Sequence, residues 1–273
     1  LLFIDSGLGG LTVLRAARAS IPEARVRYIA DDAGFPYGAK SEAELVQRLL
    51  ALLEPEVRNF DPDCIVLACN TASTIALQAL RDIFPLPIVG TVPAIKPAAA
   101  LTRSGLVSVL ATPATVAREY TRGLIARFGG GAHFTLVGAA SLAALAEAYA
   151  GGEAIDAGAV AREIAPAFVE KDRAKTDVVV LGCTYYPLLL DKLDQVAPWP
   201  VVWLDPAPAI ARRIANVLAE KGHIVGVGAK RGAGEIRFTS RRSPSPALLR
   251  LLQSHHIAVP AFDAAAQLQR DPA

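Results

Sequence analysis

Two cysteines in this chain follow strongly apolar runs and precede helical patterns. Cys69 comes shortly after the run 64–67, and Cys183 comes directly after the run 177–182. A residue between a strand and a helix lies where α/β proteins place their ligands. A helix N-terminus carries partial positive charge, which lowers a thiol's pKa and favours the reactive thiolate. We therefore expect Cys69 and Cys183 to face each other across one small ligand, whereas Cys64, which begins a strand, is expected to be buried packing.

Few reactions need two such thiols. A redox disulfide is usually a Cys-X-X-Cys pair, and the sequence contains none. A cysteine hydrolase needs a histidine near its nucleophile, and neither cysteine has one close in the sequence. The third option is inversion of a stereocentre, in which a thiolate removes a proton from carbon and an opposing thiol returns one to the other face. An ordinary thiol pKa of about 8.5 needs only modest tuning for this general acid–base role.

Polar residues at the strand ends can support such a proton transfer. Asp5 follows the first apolar strand, where it either assists proton movement, holds an ammonium group or simply caps the next helix. Helix N-termini and nearby side chains supply hydrogen-bond donors for a substrate carboxylate. The candidate side chains for this donor set are Ser6, Asn70, Thr71 and Thr184.

Two further loops hold candidate ligand contacts. Residues 36–38 (Pro-Tyr-Gly) follow the second strand and form either a turn or a binding loop. Thr112 and Thr115 flank a helix start, where threonines either cap the helix or bind a carboxylate. Glu147 lies on an alanine-rich helix, where a lone glutamate is typical of a solvated surface.

The composition predicts a globular protein with a nearly neutral net charge. The 273 residues are 52% hydrophobic and 20% charged, and the formal net charge is +2. This charge gives no reason to expect nucleic acid or an anionic membrane, and no apolar run approaches the roughly 20 residues of a membrane span. Three cysteines make no disulfide framework, and no signal peptide precedes the first strand, so we expect a reducing, cytoplasmic setting. Without metal-ligand spacing or a cofactor motif, we expect neither a metal nor a cofactor.

Strands and helices alternate along the chain, which predicts an α/β protein with parallel sheets. About eight to ten predicted strands are many for one doubly wound sheet. The two cysteine-bearing strands therefore suggest two similar lobes, each a mainly parallel sheet flanked by helices, with the active site between them. We expect residues 1–91 and 207–273 to form the first lobe and residues 92–206 to form the second. The pattern after Asp156 predicts one helix as far as Lys171.

Taken together, these motifs resemble those of the glutamate racemases, a family of cofactor-independent amino-acid racemases. The matching segments occur in the family's order: residues 5–13 (Asp-Ser-Gly-Leu-Gly-Gly-Leu-Thr-Val), 28–31 with 36–38, 68–73 (Ala-Cys-Asn-Thr-Ala-Ser), 112 with 115–116, and 182–184 (Gly-Cys-Thr) with 187–189 (Pro-Leu-Leu). Each motif is weak alone, but together they are highly specific and span most of the first 190 residues.

The resemblance implies two α/β lobes, a homodimer, and a role in supplying D-glutamate for peptidoglycan synthesis without a cofactor. It implies that Cys69 and Cys183 are the two acid–base residues that interconvert L-glutamate and D-glutamate. It places substrate contacts on Asp5, Ser6, Tyr37, Gly38, Asn70, Thr71 and Thr184. The loops described above add Pro36, Thr112 and Thr115 to the expected substrate contacts.

One position departs from the family pattern. The family usually has a histidine directly after the second Cys-Thr pair, where it is thought to assist the second cysteine, and this chain has Tyr185 there. A tyrosine has a pKa near 10 and carries a proton less readily at neutral pH. We expect Tyr185 to orient the substrate or Cys183 through its hydroxyl, with slower catalysis in one direction or compensation by another group. Glu147 falls near a glutamate that the family also uses.

Two alternatives stay open. The first is an aspartate racemase or another amino-acid racemase of the same superfamily, although such relatives often carry a glutamate after the second Cys-Thr pair. The second is a non-catalytic, amino-acid-binding regulatory protein that kept the fold, which the presence of both cysteines disfavours.

Overall fold

The computed structural model describes residues 1–222, 232–240 and 243–259. Within these ranges the chain alternates between strands and helices, and most consecutive strands are joined by helical crossovers. Such crossovers connect parallel strands, because a tight turn can join only antiparallel neighbours.

The first sheet contains five parallel strands. They are β1 (Leu2–Asp5), β2 (Val26–Ala30), β3 (Ile65–Leu67), β4 (Ile88–Gly90) and β11 (Gly234–Phe238). Their order across the sheet is β11, β2, β1, β3 and β4, so the late strand β11 returns to the edge of the sheet beside β2.

The second sheet contains four parallel strands. They are β5 (Leu106–Ala111), β6 (His133–Gly138), β9 (Val178–Leu181) and β10 (Val202–Leu204). Their order is β10, β9, β5 and β6, which places β9, the strand before Cys183, in the interior of the sheet. A small antiparallel pair lies apart from it and consists of β7 (Glu170–Lys171) and β8 (Ala174–Lys175).

Eleven α-helices connect and cover these strands within the described ranges. They are α1 (Leu11–Ser20), α2 (Glu42–Phe60), α3 (Asn70–Ile83), α4 (Ile95–Leu101), α5 (Pro113–Ala117), α6 (Glu119–Phe128), α7 (Leu142–Ala150), α8 (Ala157–Ile164), α9 (Leu190–Val196), α10 (Ala207–Glu220) and α11 (Pro246–Ser254). Among the described residues, no helix combines the length and the apolar character needed to cross a membrane.

Helix α2 illustrates how local sequence sets these elements. Ser41 and Glu44 form a capping box at its start, in which each side chain satisfies a backbone N–H at the first turn. Its buried leucines Leu45, Leu49 and Leu53 are spaced four residues apart, so they form one stripe that packs against the first sheet. The same stripe positions Arg48 on the neighbouring face, which matters for the loop described below.

The core is continuous between the two sheets. One cluster of buried side chains joins residues of the first sheet, such as Phe3 and Tyr28, to residues of the second, such as Leu110 and Val179. Helices α1 and α10 pack against each other within this cluster. Two further clusters cover the outer faces, one between the first sheet and helices α2 and α3, the other beside β5 and β9. The sheets are therefore held rigidly enough to build a site between them.

The α/β fold with two parallel sheets flanked by helices confirms the fold class expected from the sequence. The single helix expected from Asp156 to Lys171 is wrong. Helix α8 ends at Ile164, and a short 3₁₀ turn and the β7–β8 hairpin follow. Pro166 explains the break, because proline cannot donate the helical hydrogen bond and its ring clashes with the preceding turn.

The expected lobe boundaries stay a prediction. Strand β11 lies in the first sheet and helix α10 packs on α1, whereas helix α11 packs on α7, which belongs to the expected second lobe. Part of that segment lies outside the described residues.

Candidate active site

A cavity of about 280 Å³ lies where the carboxyl ends of strands from both sheets meet. Cys69, after β3 of the first sheet, and Cys183, after β9 of the second, both line it. Each cysteine is 6% exposed, so both thiols are nearly removed from water but reach the cavity.

The cavity brings together most of the residues predicted as site residues. Those that line it are Ser6, Pro36, Tyr37, Gly38, Cys69, Asn70, Thr71, Thr112, Cys183, Thr184 and Tyr185. Asp5 and Thr115 are not among the lining residues. Both are fully buried just behind the wall, where Asp5 binds the Ser6 backbone and Thr115 lies 3.4 Å from the Thr71 hydroxyl.

Cys69 is the residue that begins helix α3. Its backbone is extended, with φ −130° and ψ 122°, and the helical residues start at Asn70. The Ser6 hydroxyl lies 4.0 Å from the Cys69 sulfur. The strand end therefore fixes the thiol in place, and the first turn of α3 directs its polar side chains into the same cavity.

The expected lowering of the cysteine pKa values is wrong. Burial raises the pKa of Cys69 well above its ordinary value, and the nearby Asp5 and Cys183 charges raise it further. Burial also raises the pKa of Cys183 to about 12. Desolvation of the charged form outweighs the backbone N–H donors near each sulfur, since a buried thiolate has lost its hydration. Burial therefore favours the neutral thiol at both positions.

Asp5 is a buried carboxyl group held by backbone donors. The Gly10 N–H donates to Oδ2 at 2.5 Å, and the Ser6 N–H donates to Oδ1 at 2.7 Å. Burial nevertheless raises the pKa of Asp5 to about 7, because these two bonds only partly offset the desolvation and the Glu147 charge adds to it. A group with this pKa can both accept and release a proton near neutral pH.

Asn70 has an amide that no other described group satisfies. It is 2% exposed, and neither its oxygen nor its nitrogen has a hydrogen-bond partner among the described residues. A buried polar group without a partner is costly unless a ligand completes it. Beside it the hydroxyls of Thr71, Thr112 and Thr115 form a triangle with edges of 3.0 to 3.4 Å. The arrangement provides hydrogen-bond donors for an anionic group.

Tyr185 and Glu147 connect the second sheet's side of the cavity to the loop after β1. The Leu8 N–H donates to the Tyr185 hydroxyl at 3.0 Å and to Glu147 Oε2 at 3.2 Å, and the Tyr185 hydroxyl donates to Glu147. Gly7 must be glycine here, because a β-carbon would collide with the Tyr185 hydroxyl. Glu147 is thus bound at the lobe junction, whereas the sequence favoured a solvated surface position.

An apolar wall was missed by the sequence reasoning. It consists of Phe35, Ala39, Pro113, Ala114, Ala140, Ala143 and Ala144. Ala143 and Ala144 lie in the first turn of α7 and Ala140 lies just before it, but the sequence pattern does not say what these residues contact. Small side chains there leave room for a ligand of several heavy atoms.

No group of three or more histidine, cysteine, aspartate or glutamate residues among those described is arranged to hold a metal ion. The polar groups around the cavity are instead hydroxyls, amides and one buried carboxyl, which suit a zwitterionic or anionic organic ligand.

The sequence from residue 12 to residue 214 matches the Asp/Glu/Hydantoin racemase family. The chain therefore belongs to this family of racemases, and it is an enzyme of the isomerase class.

Within the family, this chain is most informatively compared with glutamate racemases. It is 52% identical to the glutamate racemase of Brucella canis over 254 residues, which cover 93% of this chain and 91% of that relative. It is 50% identical to that of Brucella anthropi over 259 residues, or 93% of this chain and 90% of that relative. The predicted resemblance to the glutamate racemases is thereby confirmed.

Solved structures agree with the two-sheet fold. The Escherichia coli glutamate racemase in complex with L-glutamate and the activator UDP-MurNAc-ala superposes with a TM-score of 0.83 at 39% identity, covering 94% of this chain and 96% of that one. The Thermus thermophilus glutamate racemase in complex with beta-chloro-D-alanine superposes with a TM-score of 0.69 at 28% identity, covering 94% of each chain.

The raised pKa of Asp5 predicts a specific dependence of stability on pH. The carboxyl group has a pKa of 3.8 when unfolded and about 7 when folded. Between these values the folded state holds a proton that the unfolded state has released, so the free energy of unfolding falls as pH rises. A pKa difference of about three corresponds to a loss of about 4 kcal/mol in the free energy of unfolding, and this loss is complete above pH 7.

Urea denaturation from pH 4 to pH 8 measures this effect. We expect the Asp5→Asn variant, which cannot ionise, to lack this part of the slope, so that its free energy of unfolding varies less with pH than that of the wild type. Parallel profiles for the two proteins would show that Asp5 has an ordinary pKa.

Proposed function

We propose that this protein interconverts L-glutamate and D-glutamate, without a cofactor, by proton transfer between the α-carbon and two cysteines. The observation that carries the proposal is that Cys69 and Cys183, from different sheets, line one cavity.

In the proposed reaction, one cysteine acts as a thiolate and the other as a thiol. The thiolate takes the α-proton, and the electron pair of the broken C–H bond stays on carbon as a carbanion. The opposing thiol then gives its proton to the other face, which leaves it as the thiolate. The enzyme has thus exchanged the roles of the two sulfurs, and the reverse reaction uses the same groups in the opposite order.

The substrate itself supplies the charge that activates the thiols. In the free protein both thiols are neutral because they are buried. The ammonium group of a bound amino acid is positive, and an opposite charge nearby favours the ionised form of a thiol. Asp5, whose pKa is about 7, lies behind Ser6 and serves as the nearby proton acceptor.

Carboxylate recognition is assigned to the polar wall. The unpartnered Asn70 amide and the hydroxyls of Ser6, Thr71 and Thr184 line the cavity and offer donors to carboxylate oxygens. Holding a carboxylate in this way also stabilises the negative charge that develops at the α-carbon. In this proposal Thr112 also lines the cavity and bonds to the Thr71 hydroxyl, and Thr115 supports the same hydroxyl from behind the cavity wall.

We propose that Tyr185 has a structural role at the position where the family usually has a histidine. Burial raises its pKa well above the ordinary value, and the charges of Asp5 and Glu147 raise it further. The phenol therefore stays protonated and cannot relay protons at neutral pH. Its hydrogen bonds to Leu8 and Glu147 support a role in holding the two sides of the cavity together.

We further propose the cellular role that the family resemblance implies, which is D-glutamate supply for peptidoglycan synthesis by a cytoplasmic homodimer. Three free cysteines fit a reducing compartment.

The test of the proposed function uses D₂O and purified protein without added cofactor. We expect deuterium at the α-carbon of glutamate and formation of the opposite enantiomer from either starting enantiomer. Aspartate in the same assay distinguishes another racemase of the family, and a protein that binds glutamate without any exchange would be the non-catalytic alternative.

Substitution of the cysteines tests the two-base mechanism. We expect Cys69→Ser and Cys183→Ser each to lower the racemisation rate by roughly 10²-fold to 10⁴-fold or more. Loss of a general acid or base typically has an effect of this size. Cys64→Ala is the matched control, because this third buried cysteine bonds to the Ile65 carbonyl and does not line the cavity. Full activity in either serine variant would refute the mechanism.

Substitution of Tyr185 tests this proposed structural role. Tyr185→Phe removes one hydrogen-bonded hydroxyl, so we expect about 1 kcal/mol lower stability, less than tenfold lower kcat and an unchanged pH profile. Tyr185→His introduces a group with a pKa near 6.5, and we expect a new inflection in the pH profile. A loss above 100-fold for Tyr185→Phe in only one direction would mean that the phenol moves protons.

A further inference from the structure

The wall of the cavity at Tyr37 depends on residues far away in the sequence. Tyr37 lines the cavity and is 1% exposed, and its hydroxyl donates to Asp31 Oδ2 at 2.8 Å. The tyrosine therefore presents its ring to the ligand while its hydroxyl is held from behind. The residues that hold Asp31 therefore determine the position of Tyr37 in the cavity wall.

The Asp31 carboxylate is fully buried and has no free acceptor position. Arg48 donates to both oxygens, from Nε to Oδ2 at 2.5 Å and from Nη2 to Oδ1 at 2.6 Å. The Thr239 hydroxyl donates to Oδ1 at 2.6 Å. With Tyr37 this makes four donors for a group that accepts about four hydrogen bonds. The carboxylate is therefore fixed in orientation, as its exposure of 0% requires.

Thr239 is held as firmly as the aspartate that it binds. It follows strand β11, and its backbone N–H donates to the Ala30 carbonyl at 3.1 Å, which continues the pairing of β11 with β2. Its hydroxyl also accepts from the Ala33 N–H at 3.1 Å. The neighbouring Ser240 N–H donates to Asp32 Oδ1 at 2.8 Å. The end of β11 thus binds both aspartates at the start of the loop that carries Tyr37.

We propose that Thr239 is a positioning residue for substrate binding, which acts through Asp31 to hold Tyr37 and the loop 36–38 against the ligand. The inference rests on the proposed function for its choice of ligand. Thr239 lies beyond the part of the chain that matches the family, residues 12–214. Its hydroxyl bonds to residues 31–33 and not to either cysteine, so we expect it to affect the affinity of the protein for its ligand.

The physical reason is preorganisation. A cavity wall that is already ordered costs the ligand no conformational entropy on binding, whereas a loosened wall must be ordered at the ligand's expense. The cysteines lie on other elements, after β3 and β9, and the Thr239 hydroxyl forms its hydrogen bonds with residues 31–33 of the loop. Loss of the Thr239 hydroxyl should therefore raise KM and leave kcat nearly unchanged.

The decisive variant is Thr239→Val, which keeps the side-chain shape and removes the hydroxyl. We expect KM for glutamate in both directions, and the calorimetric dissociation constant of glutamate, to rise roughly 3-fold to 30-fold, which is less than the full effect of losing a hydrogen bond to a charged group because Thr239 acts on the ligand through Asp31 and Tyr37. Thr239→Ser should restore both to within about twofold of the wild type, because it keeps the donor.

Thr102→Val is the matched control. The Thr102 hydroxyl also donates to an aspartate at 2.6 Å, to Oδ1 of Asp177, and Asp177 lies just before β9, at the end of the strand opposite Cys183. We expect similar destabilisation and an unchanged KM. An equal rise of KM in Thr102→Val, or no rise in Thr239→Val, would overturn the inference.

Tyr37→Phe removes the hydrogen bond from Tyr37 to Asp31, and it tests the inference if Thr239→Val does not fold. We expect it to raise KM by a similar factor, and in the double variant the two effects should not multiply, because both act through Asp31. An unchanged KM in Tyr37→Phe would refute the inference. If the wild type binds glutamate without racemising it, the proposed function fails while the dissociation constants still test Thr239.

Discussion

Burial of ionisable groups at the junction of two sheets is the constraint on which this site depends. Two thiols and a carboxyl group sit at the carboxyl ends of β3, β9 and β1, almost out of contact with water. The desolvation raises the pKa of each group, because burial disfavours the charged form of a thiol or a carboxyl group. The same enclosure strengthens every charge interaction that a bound amino acid would bring, because the local dielectric is low. An ammonium group can therefore change the ionisation of the thiols far more here than it would at a surface.

The two sheets are joined by the residues that surround the cavity. Leu8 of the first side binds Tyr185 and Glu147 of the second, and the Thr12 hydroxyl donates to the Thr184 carbonyl at 3.2 Å. Thr71 and Thr112 meet across the same junction at 3.0 Å. Polar contacts so close to the site fix the separation of the two cysteine-bearing strands. These hydrogen bonds act together with the continuous hydrophobic core to hold the two sides of the cavity in place.

The position after Thr184 shows how a departure from a family pattern can be accommodated. Tyr185 is larger than a histidine, and the glycines at positions 7 and 9 make room for it, since a β-carbon at either would collide with its ring or hydroxyl. Its phenol is engaged with Glu147 and Leu8. The carboxyl group of Asp5 has a pKa of about 7 and lies close enough to influence the pKa of both cysteines. Asp5 is therefore the residue that we propose for the compensation that the sequence reasoning left unspecified.

Local patterning was enough to predict the strands of the two parallel sheets and the cysteines at strand ends, because each of these depends on neighbours along the chain, but it missed the β7–β8 hairpin. It was not enough to predict the sign of the thiol pKa shifts, which follow from burial by both sheets and from the charge of Asp5. Nor could it pair Thr239 with Asp31 or bring Glu147 to Leu8, since those partners are far apart in sequence and meet only when the chain packs. Electrostatics and long-range hydrogen bonds depend on the whole fold, whereas periodicity and capping depend on a few adjacent residues.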